Sequence, residues 1–180
     1  MPFPKISETV ADFVYAESHC GFGDGETRKI RVLSEYLRLV DANPVINKFL
    51  YDVGQLPVFA ANPTVLLHVY GYAIDIYRLV EEETRRQNLK MPFVDWEIGA
   101  PIQAEFRRGS RRFISDGFLA LNEENPIIIA TAKDWLMPFA DRGDDDAVRK
   151  IADTGYLVYC FLKRQWDADE LKDQLARKIK

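Results

Sequence analysis

Eight apolar residues between Val65 and Val80 recur with a period close to 3.6: Val65, Leu66, Val69, Tyr72, Ala73, Ile76, Leu79 and Val80. That spacing places them along one side of an α-helix. Asn62-Pro63 is a strong start signal, a capping side chain followed by a residue whose fixed φ suits a first helical turn. The pattern predicts the longest helix of the chain, roughly Thr64–Gln87. An apolar stripe of that length has to be covered, so the fold must be built against it.

The residues before it also read as helical. Ser7 can cap a helix from about Glu8 to Glu17, with Val10, Phe13 and Val14 on one face. The segment His19–Gly25 breaks that helix. A second runs from about Glu26 to Val40, carrying Ile30, Leu33, Leu37 and Val40. Pro44 begins a short third helix to about Val53, with Gly54 as its stop. Residues 1–62 are therefore expected to form a helical N-terminal layer over a core built from residues 63–180.

The second half reads differently. Phe93–Phe106 is a weak strand region that Gly99 and Pro101 demote from any central place. Strands are expected at Arg112–Leu121 and Pro126–Lys133, joined by the turn NEENP. Asp144–Asp153 reads as a short helix closed by Gly155, and Tyr156–Leu162 as a strand covered on both faces. Asp167 and Glu170 form a capping box for a final helix. About 22 residues separate Lys133 from Tyr156, enough for a right-handed crossover. The expected fold is α/β or α+β, a mixed central sheet with flanking helices.

A chain of 180 residues can bury a sizeable core, and 47% hydrophobic with 29% charged residues is ordinary for a globular protein. Its net charge of −4 gives no global attraction to polyanions, so nucleic acid would need a local basic patch. The patch on offer is Arg107, Arg108, Arg111 and Arg112 around Gly109-Ser110, four guanidiniums able to grip phosphates bidentately. Cys20 and Cys160, with two histidines far apart, supply neither a disulfide framework nor a zinc ligand set. The start of the chain lacks the features of a leader, and no apolar run reaches membrane-spanning length. A cytoplasmic protein with no membrane partner is expected.

In the expected sheet, Asp116 stands near the start of one strand and Lys133 ends the next, while Thr131 shares a face with Lys133. A carboxylate and an ammonium on neighbouring strands can serve phosphodiester cleavage at a magnesium or manganese ion, if a second carboxylate holds the metal. The stretch from Arg107 to Leu162 resembles the core of the PD-(D/E)xK nuclease superfamily, with its first acid on Asp116 and its lysine on Lys133. Ser115 stands where that family has proline, and Thr131 where it has its second acid. The resemblance implies that Asp116 holds Mg²⁺ or Mn²⁺ and that Lys133 orients the attacking water. It also implies a further acid from the long helix, Glu83 first, with Glu82 and Asp75 behind it. His68, within that helix, reads as a partly buried, hydrogen-bonded side chain.

Two functions follow. One is a nuclease-like domain that cleaves or binds nucleic acid, its metal site impaired at Thr131. The other is a non-catalytic protein-interaction or immunity-type protein that binds a protein partner.

Overall fold

The structure, a computed structural model, describes residues 1–19, 25–108 and 111–180. Its elements run α1 Glu8–Ser18, α2 Gly25–Ala42, α3 Pro44–Gly54, α4 Pro57–Ala60, α5 Pro63–Arg86 and α6 Trp96–Arg108. They continue with α7 Arg111–Glu124, α8 Pro126–Thr131, α9 Lys133–Ala140 and α10 Asp145–Ile179. Among the described residues there is no strand, so the expected mixed sheet, α/β or α+β, gives way to an all-α fold.

The helices of the first half stand close to where local signals put them. Ser7 accepts from the Val10 N–H at 3.3 Å and caps α1. Asn62 accepts from the Val65 N–H at 3.3 Å, with Pro63 opening α5. Each cap satisfies a backbone donor that the helix itself leaves unpaired.

Each expected strand is instead helical, for an identifiable reason. Tyr156–Leu162 lies inside α10, where Leu157, Val158, Phe161 and Leu162 are wholly buried. A helix enclosed on every side carries apolar residues all round and loses its period, so a short window of it looks like a doubly covered strand. Pro126 opens the short helix α8 at its first turn, and only Ile128 of its three isoleucines is fully buried. The expected strand Arg112–Leu121 falls within α7, and the region Phe93–Phe106 becomes mostly α6, with Pro101 inside it. The two expected C-terminal helices are parts of one, α10, whose 35 residues span about 52 Å. Gly155 does not stop it. A side chain there would collide with the Tyr72 ring and Ile76, so glycine lets α5 and α10 approach closely.

Helices α5 and α10 form the centre, and the other elements pack around them. A single apolar cluster extends from Ile6 through Val69, Ile76 and Trp135 to Leu162. Two buried asparagines tie loops to this centre. Asn43 donates to Tyr77 Oη (3.1 Å) and the Pro92 carbonyl (2.8 Å), and accepts from the Val94 N–H (2.8 Å). Asn125 accepts from the Ile6 N–H (2.8 Å) and donates to the Pro4 carbonyl (3.3 Å) and Tyr159 Oη (3.2 Å). Phe3 adds edge-on contacts to Tyr159 and Trp166, so the N-terminal segment is stapled along α10. Beyond Glu170 the last helical turns are exposed, including Leu171, Leu175 and Ile179. Among the described residues no helix is long and apolar enough to cross a membrane.

Candidate functional site

Helix α2 is turned against its own amphipathicity. Ile30, Leu33, Leu37 and Val40, spaced like one seam of a heptad, are 63, 55, 57 and 49% exposed. The side against the body holds only two fully buried aliphatics, Val32 and Leu39. The rest of that side is polar, contributed by Arg28, Arg31, Tyr36 and Arg38.

These residues meet a charged seam on α5 and α1. Arg31 Nη2 lies 3.3 Å from Asp75 Oδ1, and its Nη1 donates to Ser18 Oγ at 3.2 Å. Ser18 Oγ donates to Asp75 (3.1 Å), as does the Trp135 indole N–H (2.7 Å). Burial pushes the Asp75 carboxyl up, with Arg31, Trp135 and Ser18 pulling against it. One turn and more along, Arg38 bridges Glu35 (2.9 Å) and Glu81 (2.8 Å). Arg78 binds Glu17 at 2.8 Å and also pairs with Glu81. Hydrogen bonds to Glu81 hold Arg38 firmly protonated. Burial pushes Glu81 up, but Arg38 and Arg78 outweigh it and its carboxyl sits below the usual range. Tyr36 stacks nearly flat on Tyr70, with ring centres 5.1 Å apart.

At the start of α2 the seam becomes aromatic. The Arg28 guanidinium lies 3.7 Å over the Trp135 ring. His68 meets Trp135 and Phe139 edge-on at 5.5 and 4.9 Å, and Arg142 lies 5.0 Å over Phe139. His68 Nδ1 donates to the Thr64 carbonyl at 2.8 Å, which leaves Nε2 as the acceptor of a neutral ring. Burial first, then Arg28 and Arg142, lower its basicity. His19 stacks on Tyr15 at 3.9 Å and has Nε2 3.5 Å from Asp134.

The residues expected to form a metal site have other surroundings. Asp116 is exposed on α7 and Lys133 is exposed as the first residue of α9. Thr131 Oγ1 donates to the Ile128 carbonyl at 2.9 Å. Thr131 and Lys133 line one surface groove of about 480 Å³ with Glu8, Asp12 and Asp134; neither Asp116 nor Glu83 lines it. Glu83 is buried and accepts from the Ser7 N–H (3.1 Å), Ser7 Oγ (3.2 Å) and Gln87 Nε2 (3.3 Å), which makes it a staple for the start of α1. Glu82 is buried beside Arg78 (3.1 Å) and Arg85 (2.9 Å). Among the described residues no three of His, Cys, Asp and Glu gather closely enough to hold a metal ion.

Arg107 lies 3.5 Å from Asp52 and Arg108 3.2 Å from Glu105, both on the last turn of α6. Gly109 and Ser110, at the centre of the expected basic patch, lie outside the described residues, as do residues 20–24. Arg111 and Arg112 are described only as the first turn of α7.

The centre at Asp75 was legible in part. Arg28, Arg31 and Arg38 recur at spacings of three and seven, which puts them on one helix face, opposite Ile30, Leu33 and Leu37. Which of the two faces turns inward is set by the buried carboxylates of α5. The chain matches no family model, no curated protein and no solved structure.

Proposed function

We propose that the protein is a non-catalytic interaction module, and that it pairs with a second copy of itself through the outer face of α2. One observation carries this: a helix that turns Arg28 and Arg31 inward and leaves four aliphatic side chains about half exposed. A contiguous apolar patch of roughly 300–600 Å² on a soluble protein is commonly a contact surface. The residues flanking the seam favour self-pairing. Lys29 and Asp41 are exposed, and neither has an ion-pair partner among the described residues. Antiparallel pairing about residue 35 sets Ile30 against the partner copy's Val40 and Leu33 against its Leu37. Each Lys29 then stands at the end of the seam where the other copy carries Asp41, whereas parallel pairing would bring like charges together. The two helix dipoles also oppose favourably.

The seam is small against the roughly 1,600 Å² of a standard interface, so the pairing is expected to be weak and concentration-dependent. Sedimentation over a range from micromolar to near-millimolar protein tests it. A monomer–dimer equilibrium is expected, abolished by Leu33→Glu with Leu37→Glu while the thermal midpoint stays within a few degrees, because exposed substitutions cost little. A monomer at every concentration overturns self-pairing. A large loss of stability in the double variant overturns the exposed seam itself.

The nuclease reading drew its support from two adjacent strands carrying Asp116 and Lys133. Without those strands, nothing in the surroundings of these residues favours it over the interaction module.

A further inference from the structure

Arg28 has an unmatched edge. Its Nε and Nη2 are withdrawn from solvent and have no hydrogen-bond partner among the described residues. These two N–H groups lie on the same side of the guanidinium and form the fork that grips a carboxylate or phosphate with two parallel hydrogen bonds. Leaving such donors buried and unpaired is costly, so this edge of the guanidinium is suited to gripping an anion. The two carboxylates whose charge reaches Arg28 are Asp75 and Asp134. Asp75 is engaged by Arg31, Ser18 and Trp135, and Asp134 lies against His19.

A second observation points the same way. Arg28, His68 and Arg142 come from α2, α5 and the turn after α9, and are joined by a continuous aromatic wall. Arg28 lies on Trp135, His68 touches Trp135 and Phe139, and Arg142 lies on Phe139. Arg142 is exposed and has no ion pair among the described residues, and His68 keeps Nε2 clear of its bond to Thr64. Three groups that can carry positive charge thus converge, and among the described residues no carboxylate forms an ion pair with Arg28 or Arg142, although the charges of Asp75 and Asp134 reach Arg28.

We infer that Arg28, His68 and Arg142 form a binding site for a small oxyanion, a carboxylate or a phosphate, approached from the Arg142 side. The Arg28 fork holds two of its oxygens, with the guanidinium plane fixed by stacking on Trp135. His68, on taking up a proton from solvent as the anion binds, donates from Nε2, and Arg142 closes the outer side.

Titration calorimetry of the full chain with inorganic phosphate, and separately with acetate, at fixed ionic strength tests the site. Saturable binding of at least one of them is expected, and the stronger of the two identifies the ligand class. Arg28→Lys keeps the charge but loses the fork, and should weaken binding by about tenfold or more. Arg142→Ala, a change at an exposed position, should weaken it severalfold. The His68 imidazole ¹⁵N resonances should shift with whichever anion binds the natural chain, and Arg28→Lys should need about tenfold or more of that anion for the same shift. Absence of saturable binding to both anions overturns the inference, as does full-strength binding by Arg28→Lys. Should Arg28→Lys fail to fold, unchanged binding by Arg142→Ala overturns it equally.

Discussion

The indole N–H of Trp135 donates to the Asp75 carboxylate at 2.7 Å, and this one bond joins α9 to α5 at the point where α1 and α2 also arrive. Asp75 is buried and takes its remaining hydrogen bonds from Ser18 and Arg31. Four helices therefore share one acceptor. Asp75→Ala would strand a guanidinium, an indole N–H and a hydroxyl together. Breaking a buried pair by removing one partner typically costs about 3–5 kcal/mol. Urea unfolding should show a loss of that size, and a loss below about 1 kcal/mol, the scale of a surface ion pair, would mean that Asp75 does not organise the seam.

Glycine-to-alanine changes inside helices usually stabilise, by up to about 1 kcal/mol. Gly155→Ala should do the opposite. A methyl group at that position meets the Tyr72 ring and Ile76, both buried at the α5–α10 contact. Overpacking of this kind costs about 1–3 kcal/mol, so the thermal midpoint should fall. A rise would show that the two central helices stand further apart than described.

Asp153 gives a pH signature. It is partly buried beside a pocket of about 310 Å³ that Lys150 and Arg107 also line. Burial pushes its carboxyl up to about 6, against the pull of Arg149. The unfolded chain titrates this group near 3.9, so between about pH 4 and 6 the folded state holds the extra proton. Its contribution to stability is complete below about pH 4 and is lost as the pH rises through about 6. Discounted for solvent screening, the change is about 1–2 kcal/mol. Asp153→Asn should flatten that part of the stability profile; an unaltered profile would place the transition elsewhere.

Removal of residues 171–180 should leave the body nearly untouched. All ten are exposed, and the N-terminal staple reaches only as far as Glu170. The thermal midpoint should move by no more than about 2 °C, the size of a surface change. A larger fall would assign Leu171, Leu175 and Ile179 a contact within the fold or between copies.

What the sequence determined by itself was local. Ser7, Asn62-Pro63 and the 3.6 period of Val65 to Val80 define α1 and α5, because a cap and an amphipathic stripe are written within a few turns of chain. The tertiary structure decided the rest. Tyr156–Leu162 and Pro126–Lys133 are apolar runs whose conformation depends on what surrounds them. Packed against α5, α6 and α7, the first became the middle of α10 instead of the edge of a sheet. With that sheet went the juxtaposition of Asp116 and Lys133 read across it. The same holds for α2. Its two faces are both plain in the sequence, one of arginines and one of aliphatics, but only the position of Asp75 and Glu81 decides that the arginines turn inward. A buried carboxylate requires a charged partner, and that requirement outweighs burying Ile30, Leu33, Leu37 and Val40 within one copy of the chain.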